Sequence, residues 1–363
     1  MTADTIDGSG HPLAFRVAQD CEEPDAVVVH ARTMGVGHQK EALVYDGRAG
    51  AVWRLTSDEG PNLKGTDLAP FPLAFLNAAL GAEVISALQS AAVGPALQTQ
   101  VEVRNRYRFQ GSFFSGTGQG SAIGTEIVFP LRADASATRE SIEQMVSRSV
   151  LFGYLSQPLR NTFALHVNGR PVEVTRVSAS TAPTQRDPFL IHRTVPVPAP
   201  GAWERDAIQA MPPLPGDQPS GVLAGRGEVE IPICGTTSWD ASRQRPKSLV
   251  LPMSRANRFA FVSDPAGRSE PSPHALFAAG VAFCYLTQYL RYIEYRHYDV
   301  QQVRIVQRMP LAAGAIVMPV DSHIFITARE DQAVIQALLE IAENTCYAHA
   351  MLRGSVPIKT EFT

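Results

Sequence analysis

At 363 residues the chain has room for two or more domains, each with its own core. Its 45% hydrophobic and 18% charged residues exclude a disordered chain. A net charge of −3 gives no electrostatic reason for nucleic acid or an anionic membrane as partner.

In chain order, LAFRVAQ, AVVVHART, EALVYDG and GAVWRLT within residues 13–56 read as strands separated by turn residues such as Asp46-Gly47 and Ala49-Gly50. From Pro72, LAFLNAALGAEVISAL reads as a long buried helix. Residues 97–131 return to strand patterning. The glycines of GSFFSGTGQGSAIG lie in a hairpin loop, because they do not open a helix as a phosphate cradle must. An amphipathic helix is expected over 137–157, then a hairpin turning at Asn168-Gly169.

Prolines crowd residues 178–224, a linker expected to hold neither a helix nor an inner strand. Phe189, Leu190, Ile191 and Trp203 seat it on the protein surface rather than leaving it free. The order strands, buried helix, strands, amphipathic helix, strand then repeats over 226–363, which reads as an internal duplication. Without gaps, Pro72 aligns with Pro273 and Glu83 with Cys284. Phe163 aligns with Ile358, which sets Leu151 opposite Cys346.

The second central helix is SPHALFAAGVAFCYLTQYLRYIEYR, with Ser272 as N-cap, Pro273 in the first turn and Cys284 in its middle. Tyr285, Tyr289, Tyr292, Tyr295 and Tyr298 recur along it at three- and four-residue steps, either as packing or as the lining of a pocket for an apolar or aromatic substrate. Residues 331–353 read as one amphipathic helix with Cys346 on its apolar side. It ends at Gly354 and is followed by a strand in which Val356, Ile358, Thr360 and Phe362 share a face.

These two helices resemble the OsmC/Ohr family of peroxide-handling proteins. The match runs from Ser272-Pro273-His274-Ala275-Leu276 to Phe283-Cys284-Tyr285, with Cys346 about sixty residues on. Arg258-Phe259 stands where the OsmC branch has an Arg-Phe pair. The resemblance implies an α+β fold of two tandem OsmC-like domains, each an antiparallel sheet wrapped on a long central helix, forming an intramolecular pseudo-dimer. The domains expected are 1–177, lacking both cysteines, and 225–363, carrying them.

By the resemblance, Cys284 is the peroxidatic cysteine, Cys346 the resolving one and Arg258 the supporting cation. The expected activity is thiol-dependent reduction of organic hydroperoxides, one site per chain. No cofactor is implied beyond an external dithiol reductant. The family's glutamate near the helix start is replaced here by His274. Runner-up readings are therefore a cofactor-independent hydrolase or lyase using Cys284 with His274, His349 or Glu83, and a protein that binds a small apolar ligand. Glu83 is singled out because nearly all its neighbours in sequence are apolar; it acts as an acid or base there, or faces a polar seam.

Four cysteines without a CxxC argue against a disulfide framework or structural zinc, and metal-ligand spacing is absent. MTADTIDGSGHPLAF lacks the basic and apolar regions of a signal peptide, and no apolar run reads as long enough to span a bilayer. The protein is expected to be cytoplasmic. Its expected partners are a small apolar or aromatic substrate and a thiol reductant, with no nucleic acid and no membrane. Further homo-oligomers of the pseudo-dimer are left open.

Overall fold

The computed structural model describes residues 6, 12–19, 21, 23–90, 100–113, 115–129, 140, 143–144, 146–159, 161–195, 207–212, 214–215, 229–252, 258–311 and 318–363. In the first half, strands β1 (Ala14–Val17), β2 (Ala26–Thr33), β3 (Lys40–Asp46) and β4 (Ala51–Ser57) lead to helix α1 (Pro72–Ser90). Then follow β5 (Gln100–Gln110), β6 (Gln119–Phe129), α2 (Val150–Ser156), β7 (Thr162–Val167) and β8 (Arg170–Val172). The linker holds α3 (Phe189–Thr194) and β9 (Ile208–Met211). The second half has β10 (Val229–Asp240), β11 (Arg245–Val250), β12 (Arg258–Val262), α4 (Pro273–Arg296), β13 (Val300–Pro310), β14 (Asp321–Ala328), α5 (Gln332–Thr345), α6 (Tyr347–Arg353) and β15 (Ile358–Phe362).

The strands form two mixed sheets, and each draws on both halves. One runs β1-β4-β3-β2-β13-β14-β7-β8, the other β15-β6-β5-β10-β11-β12-β9. Exchanging β1–β7 for β9–β15, and the reverse, turns one order into the other, except that β8 has no counterpart. The joins are antiparallel, β2 to β13 and β5 to β10. The outer pairs β14–β7 and β6–β15 are parallel.

Two buried helices lie between the sheets. α4 packs on β2, β3 and β13; α1 packs on β5, β10 and β11; and the helices pack on each other. The local causes are legible. Ser272 Oγ accepts from the Ala275 amide at 3.0 Å, and Pro273 occupies the first turn, where no helical partner for its missing amide is needed. Gly280 permits the helix contact: a Cβ there would stand 2.9 Å from Leu76 Cδ2 and 3.0 Å from Phe75 Cβ. The Asn168-Gly169 turn has positive φ at both residues, 51° and 78°, as a two-residue hairpin requires.

Several expectations are corrected. The helix expected over 331–353 breaks at Cys346, which is extended (φ −75°, ψ 115°) and caps α6. The helix expected over 137–157 is interrupted at Ser149, with α2 beginning after it; residues 130–139 lie outside the described ones. The proline-rich linker holds a helix after all. α3 starts just after Pro188, where proline's lost amide costs nothing. Ile191 and Val195 then cover Phe15, Val17, Leu43 and Val52 on the outer face of the first sheet, while β9 pairs at the edge of the second. Arg304 pins the linker through both Asp187 oxygens, at 2.6 and 2.7 Å. Finally, α1 is long and apolar enough to cross a membrane by length and composition, contrary to the sequence reading, but 72% of its most apolar window is buried in the protein.

Candidate thiol site

α4 brings Cys284 to the middle of the molecule, and the break before α6 turns Cys346 toward it. The two side chains share a hydrogen bond. Both residues are buried, and neither is in a disulfide. Cys346 Sγ also accepts from the His349 amide at 3.5 Å, which is its capping role. Burial pushes the Cys346 thiol well above its ordinary pKa, and the bond to Cys284 adds to this. Cys346 is therefore a thiol at neutral pH.

The surroundings are aromatic. Tyr107 on β5 acts electrostatically on both sulfurs, burial raises its pKa, and its hydroxyl has no hydrogen-bond partner among the described residues. The ring of Tyr347 lies 5.6 Å from that of Tyr107. The ring of Phe113, on the hairpin between β5 and β6, lies tilted against that of Tyr292 with centroids 4.3 Å apart, and the Tyr292 hydroxyl donates to the Phe113 carbonyl at 2.6 Å. That hairpin was expected as a loop; it also helps wall the site.

The cation at the site is Arg291. It lies two helical turns after Cys284, hence on the same face, and acts on Cys284 along with Tyr347 and Glu59. Burial lowers its pKa, but a guanidinium stays charged. Its guanidinium sits 4.0 Å from the centre of the Phe113 ring, and Nη1 donates to Gln288 Oε1 at 3.2 Å. Glu59 accepts from Thr287 Oγ1 at 2.6 Å and pairs with the fully buried Lys40 at 3.5 Å. Sequence reasoning missed Arg291, Tyr107, Glu59 and Lys40. Only Arg291 carried a local signal, its seven-residue spacing from Cys284.

The other residues singled out in the sequence go elsewhere. Arg258 is buried on β12, where Nε donates to the Pro212 carbonyl at 3.1 Å. β12 is three strands from the β5 that carries Tyr107, about 14 Å across the sheet. His274 is ten residues before Cys284, about 15 Å of helix rise. The His349 ring pairs with Glu343 and lies tilted against Tyr285 with centroids 4.3 Å apart, and it is the His349 amide that donates to Cys346. Burial works to raise the Glu343 pKa, but His349 and Arg353 hold it below its ordinary value.

Glu83 and His274 come together at a second place. Ser149 Oγ donates to Glu83 Oε1 at 2.7 Å, and Ser149 precedes α2 as Cys346 precedes α6. Ser149 thus holds, before a short helix of the first half, the kind of place that Cys346 holds in the second, two residues from the Leu151 of the ungapped alignment. His274 is buried and its Nε2 has no hydrogen-bond partner among the described residues. Burial lowers its pKa, with Glu83 opposing, so the ring is neutral. Among the described residues no His, Cys, Asp and Glu group is arranged to hold a metal ion.

No curated protein and no solved structure is matched by this sequence. Residues 266–361, which contain both buried thiols, match the family model for OsmC-like protein, so this segment is an OsmC-like domain.

Proposed function

We propose that the chain reduces organic hydroperoxides at the Cys284–Cys346 site. The observation that carries this reading is the hydrogen-bonded thiol pair, buried among aromatic rings with a guanidinium beside it. The Cys284 thiolate attacks one peroxide oxygen, the O–O bond breaks, and the alcohol leaves with a proton. Cys284 is then a sulfenic acid. The Cys346 sulfur displaces water from it to form a disulfide, and an external dithiol returns two electrons and two protons.

Arg291 supplies positive charge where the thiolate forms and where the leaving oxygen becomes negative. The unpartnered Tyr107 hydroxyl donates to a peroxide oxygen. Phe113, Tyr292 and Tyr347 favour an apolar or aromatic peroxide over hydrogen peroxide. Arg258, buried elsewhere, has no part in this reading. Neither has a hydrolase that combines Cys284 with His274 or Glu83, which the fold keeps apart.

We further infer that the chain is a tandem pseudo-dimer with one thiol site, Glu83 and Ser149 standing at the first-half positions. The matching strand orders of the two sheets support this. A thiol pair that must be re-reduced fits a reducing compartment such as the cytoplasm.

The test is intact mass and thiol counting before and after one equivalent of cumene hydroperoxide, on wild type and Cys284→Ser. Loss of two thiols with a Cys284–Cys346 linkage is expected in wild type and none in the variant. If both thiols stay reduced in wild type, the reading fails.

A further inference from the structure

A cavity of about 420 Å³ opens where β7 and the segment after β8 meet α5 and α6. Neither sulfur lines it. Its walls include Leu159, Asn161, Phe163, Arg176, Glu343 and Arg353. Phe163 closes its inner end, with its ring 5.7 Å from His349 and 5.6 Å from Tyr285. The volume lies within the range of small-molecule sites.

Its polar groups are unevenly used. Glu343 Oε1 is well used, accepting from Arg353 Nη1 at 2.7 Å and from Asn161 Nδ2 at 3.2 Å, while Oε2 meets only the His349 ring, as an ion pair. The bond to Glu343 fixes the Asn161 amide, because a flip would set carbonyl oxygen against carboxylate. Asn161 is 3% exposed, and its Oδ1 has no hydrogen-bond partner among the described residues. A buried acceptor of this kind calls for a ligand donor. Arg353 spends only Nη1 on the protein, on the Glu343 carbonyl and carboxylate. Its Nε and Nη2 edge has no protein partner among the described residues, and that edge matches a carboxylate. Arg176 is held only by Glu340 at 3.1 Å, with side chains 46% and 38% exposed. A surface pair of this kind is weak enough for a ligand to displace.

We propose that this cavity binds a small organic acid with an apolar body and a hydroxyl. The carboxylate takes the free edge of Arg353 and is joined by Arg176. The hydroxyl donates to Asn161 Oδ1, and the apolar carbons rest on Leu159 and Phe163. The site is distinct from the thiol pair and needs no redox chemistry.

Titration calorimetry of the full chain with mandelate, phenylacetate and benzyl alcohol tests this. Mandelate is expected to bind saturably, phenylacetate about tenfold more weakly for want of the hydroxyl, and benzyl alcohol not at all. Arg353→Lys, which keeps the charge beside Glu343 but loses the fork, and Arg176→Gln should each weaken mandelate about tenfold. Thermal unfolding checks that both variants fold. Cys284→Ser should bind as wild type does, which separates this site from the peroxidase reading. The proposal is overturned if mandelate gives no saturable heat at millimolar concentration, if benzyl alcohol binds equally, or if both folded arginine variants bind like wild type. Phenylacetate binding as tightly as mandelate would overturn the hydroxyl contact to Asn161.

Discussion

Ser149 donates its hydroxyl to Glu83 at 2.7 Å, at the places in the first half where Cys346 and Cys284 meet in the second. The same scaffold thus holds two pairs of facing side chains, one of thiols and one of oxygen groups. Oxygen groups cannot be oxidised to a linked pair, so under the proposed function only the thiol pair carries the peroxide chemistry.

This equivalence is testable by transplant. The double variant E83C/S149C should gain a second dithiol that diamide closes to a disulfide, found by peptide mapping. It should not react with one equivalent of cumene hydroperoxide as the native pair does, because Ser90 occupies the position that matches Arg291. Failure of diamide to link the two new thiols in a folded variant would refute the equivalence.

For the native pair, the two cysteines should fail differently. Cys284→Ser should abolish peroxide consumption. Cys346→Ser should still turn over once and leave a sulfenic acid that dimedone traps by mass. Equal reactivity of the two single variants would contradict the assigned order.

Arg291 and Tyr107 should act on rate rather than on stability. Arg291→Met, which keeps the packing stem, should lower the second-order rate with cumene hydroperoxide about 100-fold, the scale of losing a charged stabiliser of the departing oxygen. Tyr107→Phe removes only an unpartnered hydroxyl, so the thermal midpoint should hold or rise while the rate falls about tenfold. By contrast, Arg258→Met should leave the rate unchanged. Stopped-flow measurement under excess peroxide distinguishes these outcomes.

Acid should unfold the protein in two steps. Burial, with His192 as the second cause, lowers His30 to about 4, against 6.5 in an unfolded chain. Between those values the unfolded chain binds more protons. The contribution is thus complete above pH 6.5 and is lost as pH falls toward 4, by about 3 kcal/mol. Glu41 follows at lower pH. Burial works to raise it, but His192, Arg54 and Arg32 outweigh that and hold it at about 2, so its contribution disappears as pH falls from 4.5 toward 2. Urea midpoints across this range should fall first through the histidine window. Burial lowers His38 to about 4 as well and also lowers His166, His192 and His274, so His30→Leu should make the fall through that window shallower without removing it, and leave the lower one in place.

Gly280→Ala should destabilise the fold by about 1–3 kcal/mol, since the added methyl meets Leu76 and Phe75 where α1 and α4 cross. An unchanged thermal midpoint would show that the two helices can separate locally.

The sequence by itself determined the elements and the thiols. Apolar runs and caps marked α1 and α4, because a buried helix must be apolar and must satisfy its first amides locally. The spacing from Cys284 to Cys346, together with the closing strand, gave the family resemblance. Tertiary structure alone decided the rest. The helix break at Cys346 lies within a run that reads as helix throughout, and only the need to face Cys284 and to cap α6 reveals it. Tyr107 reaches the thiols from the other half of the chain because β5 pairs with β10, a join with no local signature. The family resemblance assigns Arg258 and His274 to the thiol, yet strand spacing and helix rise put them elsewhere. Local patterns fix which residues are buried; which buried groups meet depends on how the two halves exchange strands.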